Sequence, residues 1–280
     1  MRQALIEIAG QRLSYTVTGP PDAPVLILVH GFLSYQGVWE DTVSCLSSSY
    51  RCITLDLLGF GDSDKPALGD YSIAAHARRV LCLADTLEVT RFALLGHSLG
   101  SQIACYIAAR LAPQRVTRIV SVAGVVTGQL TPVVQFVSYP QIILGALQPG
   151  WYVLWRWLAQ HPVYAAYMFR PWFYRMNALP FEDWAKDRDM ALQPGIHIAA
   201  SLTANAIRST DLSNDLALIQ APTLILFGRQ DQTVPVNDGH VAAAAIPQAE
   251  FTLFDECGHF PMYEKPAEYQ HQTGTFLGLR

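Results

Sequence analysis

Apolar residues fall along this chain in two alternating rhythms. Runs such as Val25-Leu26-Ile27-Leu28-Val29, Phe92-Ala93-Leu94-Leu95 and Thr223-Leu224-Ile225-Leu226-Phe227 are apolar almost throughout, as strands covered on both faces must be. Arg51–Asp56 and Arg118–Val122 read the same way. Helical periods fall between them, near residues 36–47, 71–88 and 99–111, and again at 236–245. A strand at 251–254 and a helix from about 264 close the chain. Two short segments, 3–9 and 12–18, joined at Gly10-Gln11, read as an N-terminal hairpin. Strands alternating with helices predict βαβ units and a parallel sheet, an α/β fold class.

The rhythm breaks between about 125 and 205. No charged residue occurs between Arg118 and Arg156, and Trp151, Trp155, Trp157, Trp172 and Trp184 all lie in the interval. Tyr152, Tyr164, Tyr167, Phe169, Phe173 and Tyr174 join them. Trp151, Trp155 and Leu158 share one helix face. Pro132, Pro140 and Pro149 cut the stretch, which speaks against a membrane span. The segment reads either as a helical unit burying its own aromatics or as an insertion covering a site. Its apolar surface offers a face for peripheral membrane contact or a homodimer.

Composition narrows the classes. The chain has 280 residues, half of them hydrophobic, enough for one large domain with an insertion. A net charge of -4 lacks the basic face that nucleic acid requires. The five cysteines are scattered, with no metal-ligand spacing, and read as small buried hydrophobes in a reducing compartment. Met1–Ile8 has no apolar signal core, so a cytoplasmic location is expected.

Chemistry concentrates at the ends of the predicted strands. Gly96-His97-Ser98-Leu99-Gly100 stands between a strand and a helix, the setting of a nucleophile elbow. The turn is tight, and small residues on either side leave room for a strained central serine. A serine hydroxyl needs a base, and in open parallel sheets the base is sought at the carboxyl ends of the strands. His259, in Asp255-Glu256-Cys257-Gly258-His259-Phe260-Pro261, is the candidate base. His76, His197 and His240 fall in helical stretches, His271 lies near the end of the last helix, and His97 is expected to point away from Ser98. His161 would face the site only from the insertion. Asp231, after the strand at 222–227, is the candidate acid that orients the ring, although a turn aspartate bonding its own backbone would look the same. The residues after the preceding strand, Ala123-Gly124-Val125-Val126, hold no carboxylate, and Asp56 comes before Ser98 and reads as structural. The order Ser98, Asp231, His259 is that of an α/β-hydrolase triad. Backbone amides of Phe32, in His30-Gly31-Phe32-Leu33, and of Leu99, at a helix N-terminus, are the candidate oxyanion donors.

These segments, VLILVHGF at 25–32, DLLGFGDSDKP at 56–66, LLGHSLGSQ at 94–102, APTLILFGRQDQTVP at 221–235 and ECGHFPMYEKP at 256–266, resemble the α/β-hydrolase superfamily in its cap-bearing branch. The resemblance spans nearly the whole chain. It implies a mostly parallel eight-stranded sheet, with a core of 1–124 and 206–280 and a helical cap of 125–205 inserted after the sixth strand. It also implies catalysis by Ser98, Asp231 and His259 without a metal or cofactor. Candidate substrate contacts are His30, Gly31 and Phe260 beside the loops, and Trp151, Trp155 and Tyr164 in the cap. Dehalogenase and epoxide-hydrolase branches carry Asp at the Ser98 position, which excludes them here. Carbon–carbon bond hydrolases keep the serine, but tend to be glycine-rich where this chain has Phe32-Leu33-Ser34-Tyr35.

The expected activity is hydrolysis of a carboxylic ester with a lipophilic or aromatic portion, through an acyl-enzyme, rising with pH as His259 loses its proton. An acyltransferase or perhydrolase-like enzyme on the same acyl-enzyme is the second reading, separated by product analysis with competing nucleophiles. A non-catalytic ligand-binding homologue is the third, which fluorophosphonate labelling would contradict.

Overall fold

The computed structural model describes residues 3–279 except 162, 165–170, 176–177 and 179–180. Tyr167 and Phe169 therefore lie outside the described residues, as does the side chain of Trp184.

The predicted strands all form. They are β1 (Gln3–Ile8), β2 (Gln11–Thr18), β3 (Val25–Val29), β4 (Arg51–Leu55), β5 (Phe92–His97), β6 (Val116–Val122), β7 (Thr223–Gly228) and β8 (Ala249–Phe254). They make one sheet in the order β1-β2-β4-β3-β5-β6-β7-β8. The β1–β2 and β2–β4 pairs are antiparallel and every other pair is parallel. The continuously apolar reading of β5 and β7 is explained by burial of every residue in both strands. One hydrophobic layer packs Ile27, Ile53, Leu94 and Ile119 against the helices on one face. The other packs Leu28, Leu95, Val120 and Leu226 with Trp39 and Tyr269 on the opposite face. Alternate residues of each strand thus serve opposite layers.

Core helices are α1 (Glu40–Leu46), α2 (Ile73–Thr86) and α3 (Leu99–Tyr106), the last running into a wider π-type turn at 107–111. Ser72 caps α2 by accepting the Ala75 amide at 3.2 Å. The sheet order reverses at β3, so the loops after β3 and β5 leave in opposite directions and open a crevice between them.

Between β6 and β7 the chain builds α4 (Tyr139–Leu147), α5 (Pro149–Leu158), α6 (Phe181–Ala191) and α7 (Ile196–Ser209). Helix α7 continues past the expected boundary at 205, because Ala199, Ala204 and Ile207 are buried along its whole length. The segment is pinned at its start by Asp238 of α8 (Val236–Ala245), which accepts the Val126 and Thr127 amides at 2.8 and 3.0 Å. Its outer surface remains apolar, with Phe136, Leu147, Val153 and Trp157 exposed. No helix among the described residues is long and apolar enough to cross a membrane. The last helix, α9, spans Pro266–Leu277.

Burial divides the thiols. Cys52 and Cys105 are buried, and desolvation of the thiolate pushes both up to about 12; Cys257 is pushed up as well. Cys45 and Cys82 are exposed. Titration of the native protein with a disulfide reagent at pH 8 should therefore modify these two thiols quickly and the other three only after denaturation. Rapid reaction of Cys105 would contradict the packing.

Candidate active site

Ser98 occupies the turn between β5 and α3 with φ +53° and ψ −113°, a conformation L-residues rarely adopt. The surroundings force it. A Cβ on Gly100 would collide with the Val29 carbonyl oxygen, and one on Gly96 with the Gly100 backbone. Ser101 Oγ donates to the Gly96 carbonyl at 2.6 Å, and the Ser98 amide donates to the Val122 carbonyl at 2.8 Å, tying the turn to β6. Ser98 thus ends at the crevice beside β3, lining a largely apolar cavity.

Asp231 and His259 come from the loops after β7 and β8. His259 Nδ1 lies 2.7 Å from Asp231 Oδ2, and both side chains are almost fully buried. The other carboxylate oxygen, Oδ1, accepts the Thr233 and Val234 amides at 2.7 and 3.0 Å. The local Asp-turn considered from sequence is therefore present, and the second oxygen is still free for the histidine. Asp231 fixes the ring with the proton on Nδ1, which leaves Nε2 as an acceptor.

The loop after β3 is shaped by His30. The ring is buried, and its charge is disfavoured by desolvation, so the neutral form is held. Nε2 accepts the Leu57 amide at 2.9 Å, so Nδ1 carries the proton and donates to the Gly31 carbonyl at 2.7 Å. Gly31 lies against the elbow: a Cβ there would stand 3.3 Å from Ser98 Cβ. Among the described residues, no protein acceptor takes the amide of Phe32 or of Leu99. Both amides belong to residues flanking the crevice, and Phe32 lines the cavity with Ser98.

His97 corrects one expectation. Its ring does not turn away from the site but packs 4.7 Å from the His259 ring and 4.5 Å from Phe260, centroid to centroid. Nε2 donates to the His259 carbonyl at 2.8 Å. Burial first, then the neighbouring His259, holds its pKa well below the ordinary imidazole value. Asp56 is structural as expected: it is buried and accepts the Gln36 and Asp62 amides at 2.7 and 3.0 Å.

Of the six expected substrate contacts, Trp155 lines a second cavity and Gly31 adjoins Ser98. His30 lies behind its loop, and Phe260 stacks on Phe173 with ring centroids 4.9 Å apart, so both serve packing. Trp151 lines neither cavity, and Tyr164 reaches Gln141 Oε1 at 3.5 Å from a half-buried position outside both. Periodicity marked one face of α5 but not which turn of it meets the crevice.

The insertion is tied closely to these loops, by contacts that no periodicity marks. Trp172 accepts the His259 amide at 2.9 Å, and Pro171 accepts the Thr233 hydroxyl at 3.0 Å. The Thr131 amide donates to the Thr233 carbonyl at 3.1 Å. Glu264 joins both sides: Oε1 accepts the Gly258 amide at 2.8 Å, and Oε2 accepts the Tyr174 and Arg175 amides at 2.9 and 2.8 Å. The one available signal was an acidic residue just after the apolar run Phe260–Tyr263.

Residues 24–266 match the family model described as the alpha/beta hydrolase fold, and the chain belongs to that family. It is 29% identical over 275 residues to a 2-hydroxymuconate semialdehyde hydrolase of Pseudomonas sp., covering 90% of this chain and 86% of that protein. It is 27% identical to a pimeloyl-[acyl-carrier protein] methyl ester esterase of Nitrosomonas europaea, covering 89% and 93%. Among solved structures, the enol-lactonase of Burkholderia xenovorans superposes with a TM-score of 0.82 at 25% identity, covering 98% and 99%.

Glu264 provides a direct test of the clamp. Burial raises its carboxyl pKa, outweighing the four backbone amides that lower it. A raised folded-state value means the folded protein binds this proton more tightly than the unfolded chain. The contribution to stability is therefore largest below the unfolded value and is lost as pH rises through the folded one. Glu264→Gln, which puts an amide NH2 against backbone N–H groups, should destabilise the protein by about 1–3 kcal/mol at pH 7. By denaturant titration, stability of the wild type relative to the variant should increase between pH 7 and pH 5; a gap that narrows would contradict this.

Proposed function

We propose that the protein is a serine hydrolase of carboxylic esters, with Ser98 as nucleophile, His259 as general base and acid, and Asp231 orienting the imidazole. The observation that carries this reading is the 2.7 Å Asp231–His259 bond, which leaves Nε2 unprotonated, together with a strained Ser98 that lines the cavity at the carboxyl ends of the strands. Ser98 Oγ attacks the ester carbonyl as His259 Nε2 takes its proton. The developing oxyanion is met by the amides of Phe32 and Leu99, with the positive end of the α3 dipole behind them. His259 then protonates the departing alkoxide, and the acyl-enzyme is hydrolysed by water through the same exchange. The insertion over 125–205 acts as a cap, since Tyr139, Ile142 and Ala204 from it line the cavity with Ser98.

The cavity chemistry favours an ester with an uncharged acyl portion. The described residues lining it are Ser98, Ser138, Tyr139, Thr233 and otherwise apolar side chains, with no cation. A carboxylate-bearing substrate, such as the one for which the 2-hydroxymuconate semialdehyde hydrolase is named, would find no charge partner there. That relative keeps carbon–carbon bond cleavage as the second reading.

Activity on p-nitrophenyl acetate and butyrate tests the proposal. Ser98→Ala should lower kcat by about 10³-fold or more with the fold retained, and Asp231→Asn by up to about 10⁴-fold. In the wild type, a burst of nitrophenolate stoichiometric with enzyme is expected wherever deacylation limits turnover. Wild-type rates in Ser98→Ala would refute the assignment.

A further inference from the structure

A second, smaller cavity adjoins the one over Ser98, and Leu33 and Ile142 form part of the wall of both. The two side chains therefore stand between a proximal chamber holding Ser98 and a distal chamber within the insertion. Leu33 belongs to the loop after β3 and has φ +53°; it is held in a left-handed conformation that aliphatic residues seldom occupy. Ile142 projects from α4.

The distal chamber has two kinds of wall. Tyr152 and Trp155 of α5 form the aromatic side, and Gly145, Ala191, Ile196 and Ala200 form a side of small and aliphatic residues. No described lining residue carries a formal charge; Gln141 and His197 are its polar members. Tyr152 is fixed by its hydroxyl, which donates to the Gln193 carbonyl at 2.7 Å, and by a His197 ring stacked 4.4 Å away. These contacts keep the aromatic wall in place.

We propose that the distal chamber receives the end of a linear acyl chain, whose carbonyl carbon sits at Ser98 and whose methylenes pass between Leu33 and Ile142. The preferred substrates are then esters of unbranched medium-chain acids, and Gly145, Ile142 and Leu33 determine the chain length. The inference rests on the ester reading above. Two branched aliphatic side chains shared by both walls form an apolar boundary that a polymethylene chain can cross without losing a hydrogen bond. The chamber behind it takes apolar surface out of water without offering a charge to pair.

Gly145 allows a clean test. It lies inside α4, and the nearest atom to a Cβ built there is Tyr152 Cβ at 4.0 Å, so the first carbon of a new side chain meets no clash and the rest extends toward the chamber that Gly145 lines. In Gly145→Leu the new side chain fills the chamber. The measurement is kcat/KM for p-nitrophenyl acetate, butyrate, octanoate and benzoate in the wild type, Gly145→Leu and Ile142→Ala. Each methylene taken into the pocket should raise kcat/KM about three- to four-fold in the wild type. The octanoate-to-acetate ratio should fall by about ten-fold or more in Gly145→Leu, corresponding to two or three methylenes displaced from the chamber. In Ile142→Ala the optimum should move to a longer chain.

An unchanged ratio in Gly145→Leu would overturn the proposal. So would a wild-type preference for benzoate over octanoate that Gly145→Leu abolishes, because the chamber would then hold a ring. Should the wild type hydrolyse none of these esters, the ester reading fails separately. Calorimetric binding of octanoic acid then decides the chamber: affinity at least ten-fold weaker in Gly145→Leu supports it, and equal affinity overturns it.

Discussion

The whole arrangement depends on the absence of space at one point. Where β5 turns into α3, the α3 backbone passes so close to β3 that the position of a Gly100 Cβ is already taken by the Val29 carbonyl. Only glycine fits there, and only glycine at Gly96 lets the turn close. With both ends of the turn fixed, Ser98 has no relaxed conformation available and stands at φ +53°. The strain costs on the order of 1–3 kcal/mol and is borne by the surrounding sheet, in which β5 is buried throughout. The hydroxyl consequently has a position set by backbone packing rather than by its own rotamer alone.

The loops that carry Asp231 and His259 are held differently. Local turns shape them, as where the Asp231 amide donates to the Gly228 carbonyl at 3.2 Å, and hydrogen bonds across long sequence distances hold them together. Asp231 uses one oxygen to fix its own loop and the other to hold His259. His97 reaches from the elbow to the His259 carbonyl, while Trp172 takes the His259 amide from the insertion. Glu264 accepts amides from both the histidine loop and residues 174–175. The insertion's backbone therefore helps fix the His259 loop. Displacement of 171–175 would disturb the histidine as well as the pocket wall, so the positions of the insertion and of the His259 ring are linked.

The fold was largely legible in the sequence because its signals are local. A buried parallel strand must be apolar on both faces, and all eight strands announced themselves that way or by the N-terminal alternation. The Ser98 turn was legible for the same reason, since its glycines flank it directly. Pairing of Asp231 with His259 could be inferred from their order after β7 and β8, but not the second hydrogen-bonding role of the carboxylate. The pocket walls were less legible. Trp155 reaches the distal cavity while Trp151, one turn earlier on the same stripe, does not, because helix rotation against the core is decided by packing. The side of His97 and the span of Glu264 depend on contacts between segments far apart in the chain, which periodicity does not encode.

The account stands most directly on what lies around the Ser98 oxygen during attack. A crystal structure of the protein after reaction with a fluorophosphonate would show this, since the tetrahedral phosphorus stands in for the attacked carbonyl carbon. Phosphorus should be bonded to Ser98 Oγ, with one phosphoryl oxygen about 2.7–3.1 Å from both the Phe32 and Leu99 amides. His259 Nε2 should lie within hydrogen-bond reach of Ser98 Oγ. An adduct on another residue, or a phosphoryl oxygen pointing away from both amides, would contradict it.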